Sequence, residues 1–317
     1  MMDWSDRHCR FFFRQLSPHA VLYTEMVTTG ALLHGDVERH LRFDPVEHAV
    51  ALQLGGSEPD ELARCAKLGE DWGYDEINLN CGCPSERVQK GAFGACLMAE
   101  PDLVADCVSA MREAVSVPVT VKHRLGIDSI EKYDFVRRFV ETVAKAGCRT
   151  FIVHARNAVL KGLSPKDNRQ VPPLKYDYVS HLKRDFPELE IVMNGGIASV
   201  ADVAARLLQV DGVMLGRAAY HDPWILALIE NEVLGTSRRI SRADIVWSMH
   251  RYAETELAQG TPLRSIARHM LGLYHGRPRA RIWRQMLSDA NRLSENHASL
   301  LLDALAEVES AEIALPA

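Results

Sequence analysis

The chain has 317 residues, 47% of them hydrophobic and 25% charged, and a formal net charge of −5. This length suits one large domain with a small one, and the ordinary composition argues against disordered, collagen-like and coiled-coil proteins. The negative charge argues against a uniformly basic protein that coats nucleic acid, although it permits a basic face on an acidic body.

No stretch has the length or flanks of a membrane span or a secretory signal. The apolar stretch Phe11–Phe13 is short and lies between arginines, and Met1-Met2-Asp3 lacks the basic residues of a signal sequence. Seven cysteines, an odd number, suit a reducing compartment better than a disulfide framework. We therefore expect a cytoplasmic protein that is not inserted in a membrane.

Short apolar runs alternate with helical stretches over about the first 215 residues. Most of these runs are near-continuous Val, Ile and Leu, which is typical of strands covered on both faces. Seven strands alternating with helices predict parallel β-α units. The predicted strands are 21–24, 49–54, 76–80, 117–122, 149–154, 191–194 and 212–215, and the helices between them are 59–70, 101–114, 130–146, 176–185 and 199–208.

Seven strands are one short of a (β/α)8 TIM barrel, which is the fold we predict. An eighth strand has room only at the extreme start, so we expect the first barrel strand to be mostly absent. A doubly wound sheet is the alternative, but the glycine-rich turn that normally follows its first strand is not visible. After Gly235 only helical periodicity remains. We predict a barrel domain over residues 1–235 and an all-helical domain over residues 236–317.

Polar and ionisable residues follow most of the predicted strands. In TIM barrels the strand ends and the loops after them form the active face. One such residue alone is more often a satisfied buried group, but repetition at matching strand ends favours a site. The residues are Glu25-Met26, Gln53, Asn80-Cys81-Gly82-Cys83-Pro84, Lys122-His123-Arg124, His154-Ala155-Arg156, Asn194-Gly195-Gly196 and Gly216-Arg217.

The last two strands end in glycine-containing turns that suit a phosphate. Gly195-Gly196 is also an ordinary turn, but Gly216-Arg217 one strand later adds a second anion-binding loop and a guanidinium. Lys122 lies at an earlier strand end, where it suits a cofactor ring that carries negative charge. These features predict a phosphorylated cofactor over the barrel, for which flavin mononucleotide (FMN) is a natural choice.

Two cysteines compete as the reactive thiol. Cys81-Gly82-Cys83 resembles half of a zinc site, but no second ligand pair completes it, so we expect no metal. Cys83 is favoured as reactive because Pro84 turns the chain just beyond a strand end. Cys96 is the rival, although a small buried hydrophobic role suits it better.

Two segments are basic in this acidic chain. Residues 261–284 contain six arginines and no acid, and residues 156–175 contain five cations against one acid, Asp167. A charge run is often only a solvated helix face. Two such segments together favour a localised track for a polyanion.

The segment 76–85, Glu-Ile-Asn-Leu-Asn-Cys-Gly-Cys-Pro-Ser, resembles the signature of tRNA-dihydrouridine synthases, flavin enzymes that reduce uridines in tRNA. The resemblance covers essentially the whole chain, and residues 1–7, 161–165 and 272–283 are similar to the A-type bacterial subfamily. In the family a short strand and an Ala-Pro precede Met-Met, and both are missing here.

The resemblance implies FMN, NADPH as reductant and uridines 20 and 20a of the tRNA D-loop as targets; we expect a monomer. It implies that a hydride passes from flavin N5 to uracil C6 and that Cys83 donates the proton to C5, a role that suits a thiol. The implied FMN contacts are Met1, Met2, Gln53, Lys122, His154, Asn194, Gly195, Gly196, Gly216 and Arg217. The implied tRNA contacts are Asn80, Lys166, Arg169, Arg279, Arg281 and Arg284.

Two alternatives from other classes remain open on the residues alone. A flavin dehydrogenase of the dihydroorotate type shares the barrel and the phosphate site, but leaves the arginine-rich helical segment unexplained. An RNA-binding protein without activity has no need of Cys83, Lys122 and His154 together at strand ends.

Overall fold

The computed structural model describes residues 1–85, 88 and 91–309, which form two compact units. The first unit comprises residues 1–2, 21–197 and 201–215. The second comprises residues 3–20 and 198–200, together with the chain from 216 to the last described residue. This division differs from the boundary predicted at residue 235, because the helix near the start of the chain and residues 216–235 group with the helical unit.

The first unit is built on a curled sheet of seven parallel strands whose spatial order is their chain order. This order is that of a (β/α)8 barrel, and it excludes a doubly wound sheet, in which the order reverses. All seven predicted strands are confirmed, while residues 1–6 form turns. The strands are β1 Leu22–Thr28, β2 Val50–Gly55, β3 Glu76–Cys81, β4 Val119–His123, β5 Thr150–His154, β6 Glu190–Asn194 and β7 Gly212–Met214.

Helices follow the strands, and a second group of helices follows the sheet. Short 3-10 turns lie at Pro45–Glu47, Gly94–Ala99 and Asp167–Arg169. The described α-helices are α1 Arg7–Leu16, α2 Thr29–His34, α3 Val37–Leu41, α4 Pro59–Asp71, α5 Pro101–Ala114, α6 Tyr133–Lys145, α7 Tyr176–Asp185, α8 Val200–Leu207, α9 Arg217–His221, α10 Trp224–Glu232, α11 Arg242–Ala258, α12 Leu263–Met270, α13 Ala280–Ser288, α14 Ala290–Ser294 and α15 Ser299–Glu309.

Strand β3 differs from a near-continuous apolar run, because one of its two faces is polar. In β3, Ile77 and Leu79 are fully buried, whereas Glu76, Asn78 and Asn80 hydrogen-bond to side chains of neighbouring strands. Successive side chains of a strand point to opposite faces, so one face packs under helices while the other carries polar groups. The polar groups that could take part in a reaction therefore lie on the inner face of the sheet.

The second unit contains α1 as well as the helices after residue 216. Asp6 caps α1 by accepting a hydrogen bond from the Cys9 amide at 3.0 Å, and its carboxyl group lies 3.0 Å from Nε2 of the buried His269 of α12. The Arg7 guanidinium pairs with Glu256 of α11. These contacts explain why residues 3–20 belong to this unit. Among the described residues, no helix has the length and apolarity needed to cross a membrane.

Candidate active site

Lys122 and Asn194 meet on the concave face of the sheet, at the carboxyl ends of the strands. The Lys122 ammonium donates a hydrogen bond to Asn194 Oδ1 at 3.0 Å, reaching from β4 past β5 to β6. Asn194 Nδ2 in turn donates to the Met214 carbonyl of β7 at 2.8 Å. The contact across β5 requires a concave surface, as in a barrel interior.

The Lys122 charge is poorly compensated. The pKa of Lys122 is lowered to about 8, mainly because the buried ammonium loses hydration and to a smaller extent because Arg124 is close. Within the described part of the chain, no carboxylate lies within ion-pair distance of this ammonium. A partly buried cation whose neighbour is an amide rather than a carboxylate is suited to an anionic ligand.

His154 lies beside a turn that only glycine allows. It pairs in register with Asn194, and Gly195 follows with φ of +109°. A Cβ on Gly195 would lie 2.5 Å from Cδ2 of the His154 ring. Tyr176 Oη donates to the Gly195 carbonyl at 2.6 Å and fixes the turn from the other side. The predicted residues from β5 and β6 are therefore brought together.

Asn80 holds the backbone that carries Cys83. Its Oδ1 accepts hydrogen bonds from the amides of Gly82 and Cys83 at 2.9 and 3.0 Å. Its Nδ2 donates to Gln53 Oε1 at 2.7 Å, which joins two predicted site residues on neighbouring strands. In this structure Asn80 shapes the turn; its tRNA contact stays a prediction.

Cys83 is half-buried at the end of β3 and is fixed through its backbone. Its carbonyl accepts from the Ala95 amide at 2.9 Å, and its thiol lies 3.6 Å from Ser85 Oγ. A Cβ on Gly94 would lie 2.6 Å from the Cys83 carbonyl oxygen, and Gly94 has φ of +76°. Glycine is therefore needed for the two turns to approach this closely.

Cys96, the rival thiol, and Cys81 of the Cys-Gly-Cys segment both differ from Cys83. Cys96 donates its thiol to the Phe93 carbonyl at 3.1 Å, and burial raises its pKa. Cys81 is fully buried on the opposite face of β3, and burial raises its pKa well above the ordinary value. All seven cysteines are free, and among the described residues no three His, Cys, Asp or Glu side chains are grouped to hold a metal.

Arg124 is one of the polar strand-end residues predicted on the active face, but no specific role was predicted for it. It is buried just after β4, where Nε donates to the Gly82 carbonyl and Nη1 to the carbonyls of Asn157 and Asn168, each at 2.9 Å. Burial lowers its pKa to about 10, so the guanidinium stays charged at neutral pH. Its position in the Lys-His-Arg segment at a strand end is the feature of the sequence that could have indicated such a role.

His123, from the same predicted cluster, lies on the other face of β4. Its ring packs against Phe139 and Phe151 with centroids 5.0 and 5.9 Å away, and burial lowers its pKa to about 4. It is therefore neutral and structural, because strand alternation turns it away from Lys122.

The remaining predicted cofactor contacts lie elsewhere. Met1 and Met2 are exposed in the first unit. Gly216 and Arg217 start α9 in the second unit. Their roles stay predictions.

The predicted tRNA contacts fall into two groups. Lys166 and Arg169 are exposed on a loop of the first unit. In the second unit Arg281 and Arg284 are exposed on α13, whereas Arg279 is half-buried and forms an ion pair with Glu307 at 3.1 Å. Arg279 also has φ of +59° just before the helix.

The fold and the strand-end site define an enzyme of the α/β-barrel class, with its polar groups gathered at the carboxyl ends of the strands. Within that class the chain belongs to the dihydrouridine synthase family, since the family described as Dihydrouridine synthase (Dus) matches residues 1–309.

Several curated relatives are similar over nearly the whole chain. A tRNA-dihydrouridine(20/20a) synthase of Synechocystis sp. is 55% identical over 306 residues, which cover 96% of this chain and 92% of that protein. The Pseudomonas aeruginosa protein of the same name is 56% identical over 91% of this chain and 87% of its own. The Pseudomonas syringae protein is 57% identical over 97% and 91%.

Proposed function

We propose that this protein reduces uridines 20 and 20a in the D-loop of tRNA to dihydrouridine, with FMN as cofactor and NADPH as reductant. The names of the relatives support the reaction and its target. The inner face of the sheet supports the chemistry, because it carries a cation, amides and a thiol at one end. The observation that carries the proposal is that hydrogen bonds at the carboxyl ends of the strands join Lys122 to Asn194, and Asn80 both to Gln53 and to the Cys83 amide.

The residues present fit an FMN ring. A flavin presents a row of carbonyl oxygens and ring nitrogens, and a protein tunes it by placing hydrogen bonds and charge along that edge. Lys122, Gln53 and Asn194 supply a cation and two amides on one face, and His154 lies beside them at the turn of Gly195. These residues would hold the ring.

When bound and reduced by NADPH, FMN supplies a hydride to C6 of the uracil. The protein's own residues do the rest. Lys122 would place its positive charge beside the negative charge that gathers on the reduced cofactor ring. Such a cation stabilises negative charge most strongly where water is excluded. The Cys83 thiol gives its proton to C5, so that the electron pair released from the C5–C6 double bond ends in a new C–H bond.

The backbone around Cys83 suits this role. Asn80, Arg124 and the turn at Gly94 fix the thiol-bearing residue from three sides. A donor held in place loses little entropy when the reaction occurs. The target base must leave the RNA stack to reach the thiol, which costs a few kcal/mol and least in an already distorted loop.

Exposed arginines and lysines would hold the RNA. Phosphate contacts fix position and orientation without reading bases, so the shape of folded tRNA selects the uridine. Lys166 and Arg169 in the first unit and Arg279, Arg281 and Arg284 in the second are the proposed contacts. We propose the cytoplasm as the place of action, since tRNA is modified there.

The direct test is mass spectrometry of unmodified tRNA after incubation with the protein, FMN and NADPH. We expect a gain of two hydrogens on D-loop uridines. Omission of NADPH is the matched control and should give none. A protein that neither takes up FMN nor changes the mass of the tRNA would contradict the proposal.

The RNA contacts can be tested one arginine at a time. Arg281→Ala and Arg284→Ala should each weaken tRNA binding and lower the slope of log affinity against log salt by about one. Arg279→Ala should lower it less, because Glu307 already offsets that charge. Oxidation of NADPH without tRNA should stay unchanged in all three, and unaltered salt slopes would mean that these arginines only face solvent.

A further inference from the structure

The loop at residues 159–171, here the basic loop, is organised around one buried side chain. Lys166 and Arg169 are exposed on it, whereas Asn168 between them has no exposed surface. A fully buried asparagine is uncommon, because each of its polar atoms must find a partner. Asn168 therefore has a specific structural task.

The Asn168 side chain bonds to the backbone at three earlier positions of the loop. Its Oδ1 accepts from the Val159 amide at 2.7 Å, and its Nδ2 donates to the Val159 carbonyl at 2.8 Å. Nδ2 also approaches the carbonyls of Leu163 and Ser164 at 3.3 and 3.4 Å. The side chain thus replaces a backbone ladder that this irregular segment lacks, and fixes the path of the loop.

The backbone of Asn168 connects the basic loop to the Cys83 turn. The Asn168 carbonyl accepts from Nη1 of Arg124 at 2.9 Å. Nε of the same guanidinium donates to the carbonyl of Gly82, the residue before Cys83, also at 2.9 Å. A planar guanidinium holds its donors in a rigid fork, so the two carbonyls keep a fixed separation.

We propose that Asn168 is a positioning residue, which presets the basic loop so that Lys166 and Arg169 meet RNA phosphates in register with Cys83. The role in RNA binding rests on the function proposed above. A loop that is already ordered loses less conformational entropy on binding than one that must be ordered by the ligand. Removal of the Asn168 side chain should therefore weaken tRNA binding much as removal of the Lys166 and Arg169 charges would, although both charges are still present.

A double-mutant cycle tests this coupling. Asn168→Ala should weaken tRNA binding by about tenfold and lower its salt slope when Lys166 and Arg169 are present. In the Lys166→Ala/Arg169→Ala background the same change should weaken binding by less than about twofold. Gln170→Ala, an exposed position on the same loop, is the matched control and should change neither quantity. Equal effects of Asn168→Ala in both backgrounds would overturn the proposal.

Trypsin gives a readout that needs no tRNA. Cleavage after Lys161, Lys166 or Arg169 should be at least about tenfold faster in Asn168→Ala than in wild type or Gln170→Ala. Asn168→Asp keeps the acceptor for the Val159 amide and loses the donors, so trypsin should cleave it faster as well. This variant replaces Asn168→Ala if the alanine variant fails to fold. Unchanged cleavage in the variant that folds would overturn the proposal.

Two further outcomes separate this proposal from the function on which it rests. Wild-type tRNA affinity and salt slope in Lys166→Ala/Arg169→Ala would overturn the role of Asn168 in RNA binding. Absence of dihydrouridine formation by the wild-type protein would overturn the proposed function alone, because trypsin sensitivity and tRNA affinity are measured without that reaction.

Discussion

Both ends of the sheet's inner face carry polar side chains at alternate strand positions, but these side chains have different kinds of partner at the amino end and at the carboxyl end. At the amino end, Tyr23 Oη and Thr120 Oγ1 donate to Glu76 Oε1 at 2.9 and 2.5 Å, and Asn78 Nδ2 donates to Thr120 at 2.8 Å. At the carboxyl end the cation Lys122 has an amide neighbour. The amino end pairs two hydroxyls with a carboxyl group and an amide with one of those hydroxyls, whereas the carboxyl end carries a cation and a thiol.

The largest effect should come from the thiol of the carboxyl end. Cys83→Ala should lower the initial rate of dihydrouridine formation by about two to four orders of magnitude, the usual contribution of a positioned acid. Cys83→Ser should also be slow, because a hydroxyl is a far weaker acid of similar size. The measurement is the dihydrouridine content of tRNA against time, with Cys96→Ala as a control that stays largely active.

Much of this end was predictable from the sequence, because residues at strand ends converge in a barrel. Gln53, Asn80, Lys122, His154 and Asn194 were identified in that way, and hydrogen bonds join four of them in two pairs. Whether that set binds FMN stays a prediction.

The polar groups of the amino end were not predicted, because the strands were identified from their apolar residues and no role was assigned to Glu76, Asn78 or Thr120. No role was predicted for Asn168, and none for Arg124 beyond its place among the polar residues at a strand end. Their tasks depend on backbone carbonyls from distant loops, which no local pattern in the sequence reveals.

The charge of Lys122 should make FMN binding at the carboxyl end depend on pH. Because burial lowers its pKa to about 8 in the free protein, the ammonium is charged below that pH and loses its proton as pH rises. FMN dissociation constants should therefore increase by up to about tenfold per pH unit above pH 8. The measurement is fluorescence titration of the protein with FMN between pH 7 and about pH 9.5.

Substitution identifies Lys122 as the source of that dependence. Lys122→Met should bind FMN about 10- to 100-fold more weakly at pH 7, since a charged hydrogen bond is lost, and the increase above pH 8 should vanish. Lys145→Met on α6, whose exposed ammonium pairs with Glu141, should behave as wild type. Wild-type FMN affinity that does not change over this pH range would contradict the role of Lys122.

The smallest effect on activity should come from the amino end. Burial raises the pKa of Glu76, with the nearby Glu190 adding to the rise, so the folded state holds that proton more tightly than the unfolded chain. The free energy of unfolding should therefore fall as pH rises from the ordinary glutamate range through the raised pKa. Glu76→Gln, which keeps an acceptor for Tyr23 and Thr120, should remove this fall.

Glu76→Ala should be less stable by about 1–3 kcal/mol, because two buried hydroxyls lose their acceptor. Urea unfolding at several pH values measures both variants, and dihydrouridine formation should stay close to wild type in each. A Glu76→Gln variant with full stability and no activity would contradict the purely structural role of the amino end, since that end would then take part in the reaction.

Rates of product formation do not separate proton delivery from RNA binding, so the most direct measurement is a single turnover. The flavin is first reduced with NADPH, unmodified tRNA is then added in excess, and reoxidation is followed by absorbance in Cys83→Ala and Cys96→Ala. With Cys83 as the acid, the Cys83 variant is reduced normally and reoxidised about two to four orders of magnitude more slowly, while the Cys96 variant stays near wild type. Slow reoxidation of the Cys96 variant beside normal reoxidation of the Cys83 variant would contradict the assignment.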